Sequence, residues 1–197
     1  MRELGIVFTP NATQHSAHHP AYHATWGSNV ILNGAGRIMV PGNWLLPRRN
    51  WESPAKFNAT FDAMRTYVDA GRTLRGYHQA PRRRAGSGAD NAVNPAFREM
   101  LSMLILSAHP PTQPPAPSRA AIEAAFIETR DDIIPLFRSV APESGGGAYL
   151  NEANVDEPKW QEAFYGSSYS RLLEIKKKWD PGHVFYATTA VGSEGWR

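Results

Sequence analysis

The chain contains no cysteine, which excludes disulfides, thiolate nucleophiles and cysteine-based metal centres. No apolar run approaches the ~20 residues that a membrane-spanning helix needs. The start shows neither the basic n-region nor the apolar h-region of a signal peptide. A soluble chain without a membrane partner is therefore expected. No glycine-rich phosphate loop stands in a suitable context, because the glycine run at 145–147 leads into an extended pattern and not into a helix. The formal net charge is only +3. No aromatic residues interleave the basic run Arg82, Arg83 and Arg84, so it reads as a solvated loop and no nucleic-acid partner is expected.

What is present describes a folded protein. A chain of 197 residues with six tryptophans is long enough to bury roughly 70% of its unfolded surface. Charge is uneven: residues 37–84 carry ten basic against three acidic side chains, residues 118–197 nine against twelve. N-x-T sequons begin at Asn11 and Asn58 and accept glycans only in a secreted chain. His15, His18, His19 and His23 crowd the segment QHSAHHPAYHATW. Imidazoles ligate zinc and copper. Pro20, however, should break any helix that would align them, and no carboxylate lies among them. The segment reads as a polar surface loop with no metal assigned, metal binding being the minor alternative.

Residues 1–5 read as a helix tail closed by Gly5, followed by strands at 6–9 and 30–32. Residues 39–48 are extended and punctuated by proline. Ser53 caps a helix with Pro54 at its first position, Phe57, Phe61, Met64 and Val68 forming a core-facing stripe and Gly71 closing it. Residues 73–79 alternate as a strand, and 80–91 are loop. Residues 101–106 form an apolar run that suits a strand or a buried helix. The proline-rich stretch 109–117 is a stiff connector. A helix follows from Ser118 or Arg119 toward Ile134, burying Ala121, Ile122, Ala125, Phe126 and Ile133, and Pro135 ends or kinks it.

Residues 145–196 carry the densest chemistry. Ala148, Tyr149, Leu150 and Asn151 alternate apolar and polar, so a strand would project Tyr149 and Asn151 from one face. A helix around 160–164 ends at Gly166. A second, capped by Ser167 or Ser168, lines one side with Tyr169, Leu172, Leu173 and Ile175, and places Lys176, Lys177 and Lys178 in its last turn. Asp180, Pro181 and Gly182 turn the chain.

The order Y-x-N-E, W-x-x-x-F-Y-G and Y-x-R-L-x-x-I-K-x-x-x-D-P-x-x-x-F, which takes in Trp160, Gly166, Arg171, Lys176, Asp180, Pro181 and Phe185, resembles the C-terminal segment of berberine-bridge-enzyme-like oxidases. These belong to the FAD-linked oxidoreductases related to vanillyl-alcohol oxidase. Weaker similarity extends upstream through Leu45, Pro47, Arg48 and residues 91–98. The resemblance favours a strand at 101–106. It implies an α+β fold: an incomplete antiparallel sheet with helices packed on one face, a partial substrate domain over 1–140, and a C-terminal helical segment over 141–197. It further implies an FAD cofactor, an oxidase that takes hydride from an alcohol, amine or related carbon and passes electrons to oxygen, and a small-molecule substrate. The flavin-binding domain would come from a partner chain or a missing N-terminal portion.

Carried onto this sequence, the resemblance makes Tyr149 catalytic, as base or hydrogen-bond donor, and Tyr149, Asn151 and Ser168 cofactor-binding. An amide such as Asn151 offers both donors and an acceptor to the pyrimidine edge of a flavin. At Ser168 a hydroxyl stands where the family has asparagine. Trp160 and Phe185 read as core, Arg171 and Asp180 as structural, and His78 and Arg48 as possible cleft residues. The alternative is a non-catalytic remnant or accessory protein that has lost flavin binding.

Overall fold

The computed structural model describes residues 5, 7, 9, 12–26, 40–79, 91–108, 117–142 and 145–196. The chain divides into two units, Met1–Arg37 and Ile38–Arg197. In the first, the expected polar loop is corrected to a helix, α1 (His18–Trp26). Pro20 lies in its first turn, where a backbone N–H has no intrahelical partner, so the ring removes no bond. Gly5 adopts φ +67°, and the neighbouring Val7 and Thr9 are not in a strand. The rest of the expected N-terminal helix and strand, and the strand at 30–32, lie outside the described residues.

The second unit is built on a three-stranded antiparallel sheet of β1 (Asn43–Pro47), β2 (Arg75–His78) and β3 (Met100–Ile105), in the order β1-β3-β2. Trp44 stands opposite Leu104 and Leu45 opposite Met103. The pleat sends Trp44, Leu46 and Leu104 into the main core, and Leu45 and Met103 to a smaller cluster with Ala96 and Met100. The short helix α2 (Arg49–Glu52) leads from β1 into α3 (Pro54–Asp69). A further short helix, α4 (Ala96–Glu99), runs directly into β3. The α+β architecture and the unclosed sheet agree with expectation.

Helices complete the main core against these strand residues. After Ser118, whose hydroxyl accepts from the Ala121 N–H at 3.2 Å, α5 (Arg119–Glu128) passes through a π-helical turn, Thr129–Ile133, into α6 (Ile134–Val140). Pro135 falls at the start of α6, where it is tolerated. Trp44 is fully buried and its indole donates to the Ala141 carbonyl at 2.7 Å. Burying an aromatic of this size removes ~150–250 Å² from water, worth roughly 4–6 kcal/mol. The Arg138 guanidinium lies 4.9 Å over that ring and pairs with the nearly buried Glu157 at 2.5 Å.

On α3 the buried face is Thr60, Ala63 and Tyr67, a correction to the expected stripe, of which Met64 alone packs against the core. Phe57, Phe61 and Val68 are each more than 40% exposed, and the two phenylalanine rings stack on each other. Hydrogen bonding decides the rotation of the helix. Thr60 Oγ1 accepts from buried Asn50 Nδ2, and the Tyr67 hydroxyl both donates to and accepts from the Ser107 backbone.

The C-terminal elements are a 3₁₀ turn (Leu150–Glu152), a π-helical turn (Gln161–Tyr165), a 3₁₀ turn (Gly166–Ser168) and α7 (Tyr169–Trp179). Asp180 accepts from Lys176 and from the Val184 and Phe185 N–H groups. Phe185 was expected in the core but is 80% exposed, because those bonds hold its backbone to the turn and leave the ring outside.

Candidate functional site

The segment expected as a strand over 148–151 is not one. Pairing is confined to a single bridge between Gly147 and Leu45, the Leu45 N–H donating to the Gly147 carbonyl at 2.7 Å. One rung further, the buried side chain of Asn43 replaces backbone: Nδ2 donates to the Tyr149 carbonyl at 2.9 Å and Oδ1 accepts the Tyr149 N–H at 2.7 Å. The chain then curls into the 3₁₀ turn at Leu150. Asn43 gave no signal in the sequence, because its role requires a partner 106 positions away.

Tyr149 is half-buried. Its ring packs edge-on against Phe97 at 5.8 Å and covers the Leu45, Met100 and Met103 cluster. The phenol oxygen accepts from Asn151 Nδ2 at 2.8 Å. The curl thus brings together the two side chains for which alternation was expected to provide a common face. Asn151 is exposed.

A second asparagine knots the surrounding segments. Asn94 is buried; its Nδ2 donates to the Ala163 carbonyl at 2.8 Å and its Oδ1 accepts the Ala96 N–H at 3.0 Å. The Ala163 carbonyl also accepts from the Ala148 N–H at 2.7 Å. Two glycines make this approach possible. A Cβ on Gly147 would lie 2.9 Å from Asn94 Nδ2, and one on Gly166, at φ +56°, would lie 2.9 Å from Asn94 Oδ1. The knot holds the stretch before Tyr149 against the turn that carries Ser168.

Ser168 is half-buried and lines a groove of about 390 Å³ between residues 91–98 and the start of α7. Asn91, Ser167, Ser168, Arg98 and Arg171 supply its polar atoms, and Val93, Pro95, Leu172 and Ile175 its apolar wall. Tyr149 and Asn151 do not line it. The connection runs through α4, where Phe97 meets the Tyr149 ring and Arg98, the next residue, faces the groove. His78 bonds Ser102 at 2.8 Å, and neither His78 nor Arg48 reaches the groove.

The tyrosine that follows Ser168 is structural. Tyr169 donates to Glu194 at 2.5 Å, accepts the Gly192 N–H at 3.2 Å and packs on Trp160. Burial and then the Glu194 carboxylate push its pKa up to about 12. Tyr165, raised by burial, donates to the Thr189 carbonyl. Among the described residues no three His, Asp or Glu side chains converge as a metal site, and no helix is long and apolar enough to cross a membrane.

Residues 148–192 match the family model described as berberine and berberine like. The match begins at the residue before Tyr149 and ends in the turn that satisfies Tyr169. The chain is similar to the FAD-linked oxidoreductase ZEB1 of Gibberella zeae, 40% identical over 111 residues, which is 56% of this chain and 19% of that protein. It is also similar to the VAO-type flavoprotein oxidase VAO615 of Thermothelomyces thermophilus, 39% identical over 54% of this chain and 18% of the relative.

The crystal structure of the VAO-type flavoprotein MtVAO615 from Myceliophthora thermophila superposes with a TM-score of 0.70, at 29% identity, over 79% of this chain and 27% of that one. The chain resembles the C-terminal portion of these FAD-linked, vanillyl-alcohol-oxidase-type oxidoreductases, and spans about a fifth of the length of the curated relatives it matches.

Proposed function

We propose that this chain forms the substrate-facing part of an FAD-dependent oxidoreductase, with Tyr149 and Asn151 toward the reacting atoms and Ser168 toward the cofactor. The observation that carries this reading is the Tyr149–Asn151 pair. Its backbone is clamped by Asn43 and it lies within the stretch that matches the berberine-like family. The donor set of the groove fits part of a flavin: hydroxyl, amide and guanidinium groups for the heteroatoms of a ring edge, and an aliphatic wall for a ring face. FAD, when bound, supplies the two-electron acceptor.

The side chains of this chain then have definite tasks. Asn151 fixes the position of the Tyr149 oxygen by donating to it. Because the phenol oxygen accepts from Asn151, its O–H is left to donate to a substrate hydroxyl or amine; the alternative role as base belongs to the phenolate. Phe97 holds the phenol ring upright by edge contact. The division into a substrate-domain region over 1–140 and a berberine-like segment over 141–197, and a partner chain or further domain that carries the flavin, belong to the same proposal.

The test mixes the chain with a separate polypeptide that carries a flavin-binding domain and follows flavin absorbance, then reduction of the flavin by substrate. Assembly should perturb the flavin spectrum, and Tyr149→Phe should slow reduction at least tenfold while leaving that perturbation intact. An unchanged rate removes Tyr149 from the chemistry. An unperturbed spectrum favours an accessory protein without flavin.

A further inference from the structure

In α1 the imidazoles of His19 and His23 converge. Their Nε2 atoms are 3.1 Å apart and the rings meet edge to face at 4.4 Å. The two residues are one helical turn apart, so their side chains leave the same face of the helix. Both are exposed. We infer that His19 and His23 form a two-nitrogen surface chelate for a divalent transition-metal ion, with copper(II) preferred over zinc(II).

The geometry admits either ion, and the ligand type chooses between them. A metal ~2.05 Å from each nitrogen would see the pair at about 98°, between the ~90° of tetragonal copper and the ~109° of tetrahedral zinc. In this contact one Nε2 donates its hydrogen to the other. Moving that hydrogen to Nδ1 of the same ring presents both Nε2 lone pairs to the ion, with no proton lost. No carboxylate lies in the stretch 12–26, so the ligands are neutral nitrogens. For neutral nitrogen ligands the ordinary stability order places copper(II) above zinc(II). With no third His, Asp or Glu grouped there among the described residues, water completes the coordination and the ion exchanges freely. Pro20 is compatible with the arrangement, because its fixed φ suits the first turn of the helix that aligns the pair.

The test is titration of the untagged full chain with copper(II) chloride, followed by calorimetry and by electron paramagnetic resonance, and repeated with zinc chloride. One copper per chain should bind in the micromolar range with nitrogen hyperfine structure, and zinc at least tenfold more weakly. His19→Asn and His23→Asn should each weaken copper binding at least tenfold, and His18→Asn, which points to another face, by less than twofold. Far-UV circular dichroism checks that the variants keep their helix content. Equal copper affinity in the parent and both variants overturns the inference, as does equal weakening by His18→Asn.

Discussion

Asn43 and Tyr149, 106 positions apart, are joined by two hydrogen bonds from one side-chain amide to both backbone groups of the other residue. The pair does the work of a strand rung where no strand continues. It sets where the Tyr149 hydroxyl stands relative to the sheet.

Asn43→Ala should therefore destabilise the fold by about 2–4 kcal/mol, since each orphaned backbone group costs ~1–3 kcal/mol. Urea unfolding measures this. A loss under about 0.5 kcal/mol would show that water replaces the amide. Asn43→Asp keeps the acceptor for the Tyr149 N–H but sets a carboxylate oxygen against its carbonyl, and should not restore stability.

The turn after α7 should make the protein acid-sensitive. The Lys176 ammonium, then the Val184 and Phe185 N–H groups, hold the Asp180 carboxyl below its ordinary value. Its contribution is present above the ordinary carboxylate range and lost as pH falls through that range toward the depressed folded value. Unfolding followed between pH 6 and pH 3 should show a steeper loss for the parent than for Asp180→Asn. Parallel curves would remove Asp180 as the cause.

Tyr169 predicts the opposite limb. With its pKa raised to about 12 by burial and Glu194, the folded chain holds the phenol proton more tightly than the unfolded chain does. That stabilisation is complete below about pH 10, the ordinary tyrosine value, and declines as pH rises toward 12. Tyr169→Phe should flatten the alkaline decline, and ultraviolet titration of the parent should show Tyr169 ionising late with the buried Tyr67 and Tyr165, the late step shrinking in Tyr169→Phe. A parent whose tyrosines all ionise together near pH 10 contradicts this.

Short-range signals were legible. Gly71 closes α3 at φ +77° and Gly166 ends the π-helical turn at φ +56°, while the apolar run at 101–106, open between strand and helix by itself and favoured as a strand by the resemblance, is the central strand. Strand alternation was expected to give Tyr149 and Asn151 a common face; a 3₁₀ turn instead sets the two side chains in hydrogen-bond contact. Signals that depend on distant partners were not legible. Hydropathy put Phe57 and Phe61 inside, whereas the bonds of Thr60 and Tyr67 turn α3 by other residues. Asn43, Asn94 and Asn50 organise the interior, and polar residues of this kind look like surface in a linear sequence.

The buried side of α5 and α6 has its own periodicity. Ala125, Thr129, Ile133, Phe137 and Ala141 are all buried, each four positions after the last. On an ideal α-helix that spacing would drift ~40° per step and carry the ends of the row to nearly opposite sides. The π-helical turn at Thr129–Ile133 takes up one residue more than an α turn, and so cancels ~100° of the drift. The seat of α5 against the core is therefore set by how many residues occupy that turn, and a single-residue deletion there would rotate the whole N-terminal half of the helical rod while every side chain in it stayed the same.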